Sequence, residues 1–378
     1  MGEWNGSHIN FFDGLSKKLL KHPDSRAYPD ITSFGFFCRR ANIKQLKKPY
    51  EDNASQWLGR GLSFHIAPSN VPINFAYSLF VGLISGNACI VRSSSKDFIQ
   101  TRIVSDAIAQ VLDEDKFIDL KARISIIKYE HNAIINDYFS GLCDVRIIWG
   151  GDQSIAEIRQ SPLAARAYDI TFADRYSLCV ISAGDYLQIS DKHKIALGFY
   201  NDTYLFDQNA CSSPRLIYWL GSETEIAEAK AIFWHYVQVM LDEKKYKTTA
   251  ISSINKYYTA CSAAIDYQDV QIIQTQDNRI SRIQLSALPD DLPEHVCAGG
   301  SFFEYSDTSL DKLCDVITRK FQTLVYIGLE KNEIVELFLN KGVLGVDRIV
   351  PCGKATDFGL VWDGYDLIRQ MSRIISMA

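Results

Sequence analysis

From residue 62 onward the chain repeats one pattern: a short apolar run rich in Ile, Val, Leu and Phe, then a segment with helical spacing. LSFHIA (62–67) predicts a strand, and Phe75 to Ser85 a helix. ACIVR (88–92) predicts the next strand, and an amphipathic stretch from Asp97 to about Asp113 the next helix. ISIIKY, centred on 125–129, and VRIIW (145–149) predict two more strands with a helical stretch between them. A strand solvated on one face alternates apolar and polar residues, and most of these runs, with consecutive apolar pairs or triplets, do not. Both faces must then be covered, which is the condition of parallel strands flanked by helices. Residues 61–205 are expected to form a doubly wound α/β domain.

The second half carries a related pattern. PRLIYWLG (214–221) predicts a strand leading into a long helix from Glu223 to about Tyr246. VQIIQT (270–275), IQLSAL (283–288), GSFFEY (300–305) and TLVYIGL (323–329) predict strands, with helices at Leu310–Arg319 and Asn332–Leu339. A chain of 378 residues exceeds the size at which one core suffices. The expected division is an N-terminal segment at 1–60, the first domain at 61–205, a second α/β domain at 206–345 and a C-terminal segment at 346–378. The closing WDGYDLIRQMSRII is expected to return to the first domain as a helix or a strand.

Several function classes are disfavoured. A net charge of -5 gives no general attraction to nucleic acid, and Lys17, Lys18 and Lys21, like Lys44, Lys47 and Lys48, read as solvated surface. The opening MGEWNGSHIN is not a basic start followed by an apolar run, so no signal peptide is expected. Gly6 stands where a myristoylation pattern wants Ser or Thr. No apolar stretch reaches the ~20 residues needed to span a bilayer; the Phe75–Val91 stretch is broken by Gly82, Gly86 and Asn87. Nine cysteines lie scattered, without CxxC pairs or His clusters, so neither a zinc site nor a disulfide framework is expected. The expected setting is the cytoplasm.

Four segments could carry chemistry. In DQNACSSPR (207–215), Cys211 sits among small polar residues before a strand, where backbone N–H groups and hydroxyls would lower a thiol pKa. The competing reading is a buried structural cysteine. In HIAPSNVPINF (65–75), Pro68 and Pro72 fix the backbone around Asn70, whose amide could donate to an oxyanion; a plain turn explains the same residues. In LISGNACIVRSSSKD (83–97), a strand ends in Arg92 and the serines 93–95 before a helix, which suits a phosphate or an ordinary serine cap equally. IIWGGDQSIAEI (147–158) places Gly150 and Gly151 between strand and helix, a weak signal without a GxGxxG pattern.

Taken in this order, the segments resemble the aldehyde dehydrogenase superfamily, and within it the LuxC-type acyl-CoA reductases. The resemblance runs from about residue 60 to the C-terminus through APSNVP, GLISGNACIVRSSS, WGG, DQNACSSP and GVDRIVPCGKATDF…WDGYDLI. It implies a Rossmann-like cofactor domain, an α/β catalytic domain carrying the cysteine, and a small oligomerisation element. It assigns Cys211 as the nucleophile, and Asn70 with the Cys211 backbone N–H as the oxyanion donors. Cofactor contacts would come from Pro68, Arg92, Ser93, Ser95, Gly150 and Gly151. Ser95 falls where NAD-preferring relatives often carry a glutamate, and Arg92 could pair with a 2′-phosphate, so NADPH is expected, with NADH as the alternative. No metal is implied.

Two departures matter. Hydrolytic aldehyde dehydrogenases carry a glutamate base in a Glu-Leu-Gly-Gly segment; here TFADRYSLCVI stands there, with Phe172 at the base's position and Asp174 the acid that a shifted alignment would offer. Without the base, an acyl-cysteine would be reduced rather than hydrolysed. The expected reaction is reduction of an acyl thioester, from CoA or a protein, to an aldehyde. The alternatives are an aldehyde dehydrogenase running toward the acid and a non-catalytic subunit of an acyl-transfer complex. Only about 60 residues precede the cofactor domain, fewer than is common in the family. Glu304 is a candidate for the nicotinamide ribose, against a strand-edge glutamate. An acyl-protein ligase or carrier protein and a second copy of the chain are the expected partners.

Overall fold

The computed structural model describes residues 6–273, 275, 277–295 and 298–376. The chain forms two compact units. One comprises the residues up to Ala173 together with those from Leu360 on, the other Asp174–Gly359.

The first unit is built on β2 (Leu62–Ile66), β3 (Ala88–Arg92), β4 (Ile124–Ile127), β5 (Val145–Trp149) and β6 (Tyr168–Phe172), with the short β1 (Trp57–Gly59) apart from them. The five strands are all parallel, in the order β4-β3-β2-β5-β6. The chain runs outward from β2 to β4 and then returns to the other side of β2. That reversal between β2 and β5 is the topological switch of a Rossmann-type sheet, beside whose carboxyl ends ligands bind. The helix Asn74–Ile84 presses closely on the sheet at Gly82, where a Cβ would stand 2.6 Å from Cys89 Sγ and 2.8 Å from His65 Nε2.

Residues 6–60 are an integral part of this unit. Helices Gly6–Lys21, Pro29–Phe37 and Arg40–Lys47 bring an aromatic cluster onto the sheet's helices. Phe12 lies 4.6 Å from Phe80, Phe37 4.8 Å from Phe80 and Phe34 4.7 Å from Tyr77. The C-terminal segment supplies both a helix (Leu367–Met371) and a strand (Ser372–Ile374) that pairs antiparallel with β1.

The second unit holds a seven-stranded sheet of β7 (Tyr176–Ser182), β8 (Pro214–Leu220), β9 (Gln271–Ile273), β10 (Ser281–Gln284), β11 (Ser301–Asp307), β12 (Phe321–Ile327) and β13 (Arg348–Pro351). Its order is β13-β12-β7-β8-β11-β10-β9, parallel except for the last pair. One face packs Phe199, Trp219, Phe233, Trp234 and Phe302; the other packs Tyr176, Tyr218, Phe303, Leu313 and Phe338. The long helix Glu223–Glu243 starts at a capping box, Ser222 and Glu225 bonding each other's backbone N–H, as the S-x-x-E spacing dictates.

These units differ from the division drawn at 205/206. β7 pairs on both sides with β8 and β12, so residues 174–205 belong with the second sheet. The 346–378 segment also divides, because β13 joins the second sheet through β12 while 360–376 lies in the first unit. Of the expected VQIIQT strand, Gln271–Ile273 forms β9, and Gln274 lies outside the described residues.

Candidate active site

Residues 207–213 form a tight loop between the short helical turn Tyr204–Phe206 and β8. Asp207 and Gln208 both adopt left-handed backbone, at φ 51° and 58°. Such strain persists only where the surroundings over-determine it, and the buried Gln208 amide does so. Its Nε2 donates to the carbonyls of Pro214 (2.8 Å) and Ser301 (3.0 Å), and its Oε1 accepts from the N–H groups of Gly300 (3.0 Å) and Ser301 (3.1 Å). Gly300 is required there: φ is 88°, and a Cβ would meet the Arg279 carbonyl at 2.1 Å. The Arg215 guanidinium bonds back to the carbonyls of Gln208 and Ser213.

Cys211 rides on this loop, half-buried. Its carbonyl accepts from Ser177 Oγ at 2.7 Å, and its Sγ receives the side-chain amide of Gln322 at 3.3 Å. Cys261 and Cys352 are half-buried too, but five other cysteines are in a different state. Cys38, Cys89, Cys143, Cys179 and Cys314 are buried, and burial pushes every one of those thiols up, Cys143 to about 11 and Cys89 to about 12. A thiol held protonated is a poor nucleophile.

The remaining candidates lie in the first unit. Pro68 and Asn70 follow β2, with the Asn70 side chain exposed. Their loop is pinned on both sides, since Ser69 O accepts from Ser94 Oγ (3.5 Å) and Pro72 O from Thr101 Oγ1 (2.7 Å). Gly150 and Gly151 follow β5, across the topological switch from β2. Gly150 has no positive φ, and a Cβ there would meet only Ser154 Cβ, at 3.4 Å. The protein's own atoms therefore do not demand glycine at that turn.

Arg92 is half-buried and oriented by Tyr129. Its Nε and Nη2 donate to the Tyr129 carbonyl at 3.2 and 3.1 Å, and its guanidinium lies 4.8 Å over the Tyr129 ring. Ser93 is tied to the Ile127 carbonyl, and Ser95 is exposed. Beside them a cleft of about 500 Å³ is lined by Ser93, Ser94, Lys96, Arg102 and Lys128, with Ile108, Leu112 and Ile126 as its apolar wall. One carboxylate, Asp97, also lines it and pairs with Lys128.

Phe172 ends β6 and stacks on Trp149 with ring centroids 3.7 Å apart, buried and without an ionisable group. Glu304 is neither at a strand edge nor available to a ribose. It lies in β11, between β8 and β10, wholly buried, bidentate with Arg282 (2.5 and 3.1 Å) and 3.2 Å from Lys230 Nζ.

Sequence reasoning did not single out Gln208, Gln322 or Ser177. A signal existed for Gln322, a lone amide inside the apolar run of β12. Among the described residues no group of three or more His, Cys, Asp or Glu is placed to hold a metal, and no helix is long and apolar enough to cross a membrane.

These two sheets define an aldehyde-dehydrogenase-like fold. Thermus thermophilus 1-pyrroline-5-carboxylate dehydrogenase superposes with a TM-score of 0.68, at 10% identity over 98% of this chain and 81% of that one. The NADP-dependent glyceraldehyde-3-phosphate dehydrogenase of Bacillus halodurans C-125, complexed with NADP, gives 0.63 at 10% identity over 97% and 85%. The family model described as acyl-CoA reductase (LuxC) matches residues 40–245, and the chain belongs to that family. The long-chain acyl-protein thioester reductase 2 of Photobacterium leiognathi is 28% identical over 172 residues, 45% of this chain and 34% of the relative. The matched part thus spans about a third of that relative's length.

Proposed function

We propose that the chain is a reductase that converts an acyl thioester, from CoA or a protein donor, to an aldehyde through an acyl-enzyme on Cys211. The observation that carries this reading is the state of Cys211: half-buried on an over-determined loop with an N–H donor at its sulfur, while the buried cysteines are held protonated. The Cys211 thiolate attacks the thioester carbonyl, and collapse of the tetrahedral intermediate expels the donor thiol. The Cys211 backbone N–H and the Asn70 amide are the oxyanion donors.

A bound nicotinamide cofactor supplies the hydride that reduces the acyl group. Pro68, Ser93, Ser95, Gly150 and Gly151 are its proposed contacts, at the ends of β2, β3 and β5. The unforced glycine at 150 supports this, because room that the protein does not need is room for a ligand. NADPH is the proposed form, with NADH as the alternative. Its 2′-phosphate is proposed to meet Arg92, which the Tyr129 carbonyl orients, or Lys96, Arg102 and Lys128 in the adjoining serine-lined cleft. Phe172 supports reduction over hydrolysis, because a ring packed on Trp149 cannot activate water. An acyl-protein ligase or carrier is the proposed donor partner, a homo-oligomer the proposed assembly and the cytoplasm the proposed setting.

Intact-protein mass spectrometry with a panel of acyl-CoAs tests the reading. An adduct on Cys211 that disappears when NADPH is added is the expected result. Normal aldehyde formation by Cys211→Ala would overturn it.

A further inference from the structure

A glutamine in the middle of a buried strand is costly to desolvate unless its amide is bonded on both sides. Gln322 is wholly buried in β12, and its amide is oriented by a chain of partners. Arg348 Nη1 faces Thr323 Oγ1 at 3.5 Å, and that guanidinium also donates to the carbonyls of Ala355 (2.9 Å) and Asp357 (3.0 Å). With a lone pair so engaged, the Thr323 hydroxyl turns its proton to Gln322 Oε1 at 3.2 Å. That fixes Oε1 as acceptor and aims Nε2–H at Cys211 Sγ, 3.3 Å away. A second arm leaves the same dipeptide. The Thr323 N–H donates to Ser177 Oγ (3.2 Å), which donates to the Cys211 carbonyl (2.7 Å). One dipeptide of β12 thus holds both the sulfur and the backbone of Cys211.

We infer that Gln322 is a catalytic residue that stabilises the Cys211 thiolate, with Thr323 and Arg348 as positioning residues behind it. This rests on the acyl-enzyme reading above. In the first half-reaction the thiol proton has left to solvent, the Sγ–C bond forms, and the donor's C–S bond breaks. The donor sulfur leaves with the electron pair and takes up a proton from water. After hydride from the cofactor has reached the acyl carbon, the carbonyl re-forms, the Sγ–C bond breaks and its electron pair returns to Sγ. The thiolate stands at the start and at the end of the cycle, so one N–H aimed at Sγ acts twice. A neutral amide can do this without becoming a base for water.

The charged groups tied into this region are Arg215 and Asp207 on the loop, the latter bonded by Tyr246, Arg348 behind Thr323, and Arg175, which donates to the Phe321 carbonyl and pairs with Asp347. All remain in a Gln322→Met variant, which keeps the approximate length of the side chain and removes the whole amide, the donor to Sγ together with the Oε1 that accepts from Thr323. The experiment is the pH profile of Cys211 alkylation by iodoacetamide in the full chain, read by peptide-resolved mass spectrometry without acyl donor or cofactor. In Gln322→Met the midpoint moves up by about one pH unit, and alkylation at neutral pH slows roughly tenfold. A profile that superimposes on the unmodified chain, in a variant with native circular dichroism, overturns the inference. If Gln322→Met does not reach the native fold, Gln322→Asn, whose amide is withdrawn by one methylene, must show the same upward shift or the inference fails. The readout needs only the thiol. A shifted profile together with no acyl adduct from any donor would leave Gln322 its role and remove the thioester reductase reading instead.

Discussion

Asn70 and Cys211 contribute to the proposed chemistry in unequal ways, and single variants separate them. Losing one oxyanion donor costs on the order of 10²–10³ in rate, while losing the nucleophile removes the covalent step altogether. Asn70→Ala should therefore still become acylated, about a hundredfold or more slowly, and Cys211→Ala not at all; stopped-flow acylation with one acyl-CoA checks both. The 2′-phosphate assignment is also a residue-scale matter. A charge-assisted bond to phosphate contributes about 1.5–3 kcal/mol, so Arg102→Ala should weaken NADPH binding on the order of tenfold. NADH, which lacks that phosphate, should change by less than about twofold. Fluorescence titration of both cofactors decides, and equal loss for the two would move the phosphate elsewhere. Cys211 and Asn70 were legible as candidates because their neighbours are unusual for a core. Gln208 and Gln322 were not, because what gives them meaning is the geometry of partners about 90 and 110 residues away.

Among elements, β2, β3 and β5 were legible as short apolar-rich runs bounded by helical segments, although each also carries a polar residue, His65, Arg92 and Arg146 in turn. Two kinds of element were not. β6 is an edge strand whose Tyr168, Asp169 and Thr171 are only partly buried, so its sequence lacks the aliphatic run. The helix Ala250–Asp266 exposes Ile251, Ile254, Tyr257 and Tyr258 while burying Lys256, which inverts the pattern that periodicity relies on. Lys256 is accommodated because its Nζ donates to the carbonyls of Asn278 and Gly299. β5 and β6 also share a buried charge. Arg146, 1% exposed, forms a bidentate pair with its register partner Asp169 at 2.7 and 3.1 Å, and its Nη1 bonds Ser140 Oγ and the Ser161 carbonyl. Removing the carboxylate would leave a guanidinium buried with neutral partners only. Asp169→Ala should destabilise the chain by about 3–5 kcal/mol, read from urea unfolding. Arg146→Ala should cost less, because Asp169 keeps Arg159 at 3.4 Å and is less deeply buried. The reverse order would mean that packing of the Arg146 stem, not its charge, dominates.

At the scale of the whole molecule, the buried titratable groups set how stability responds to pH, and they oppose one another. His65 is wholly buried, bonded to Ser78 and Ser63, and burial lowers it to about 3; His8 is lowered to about 4 by burial and then by Arg123. Both are neutral in the fold and would take a proton once unfolded, so they stabilise above the ordinary histidine value of 6.5 and that contribution is lost as pH falls. Asp202 goes the other way. Its carboxyl accepts from the N–H groups of Gly353 and Ala355, yet burial outweighs those bonds and raises it to about 7. A raised carboxyl stabilises fully below its unfolded value near 4, and that stability is lost as pH rises through about 7. Between about pH 5 and 6 the unfolded chain thus holds two more protons on the histidines, and the folded chain one more on Asp202. The difference is about one proton, so stability should rise with pH across that window by about 1.4 kcal/mol per unit. Asp202→Asn removes the opposing group, and the slope should steepen to about two protons even though the variant is less stable overall. His65→Gln, which cannot titrate, should flatten it toward zero. Urea melts at several pH values for the three proteins measure the slopes directly. A slope unchanged in Asp202→Asn would show that this carboxyl is already ionised in the fold, its two backbone donors outweighing burial.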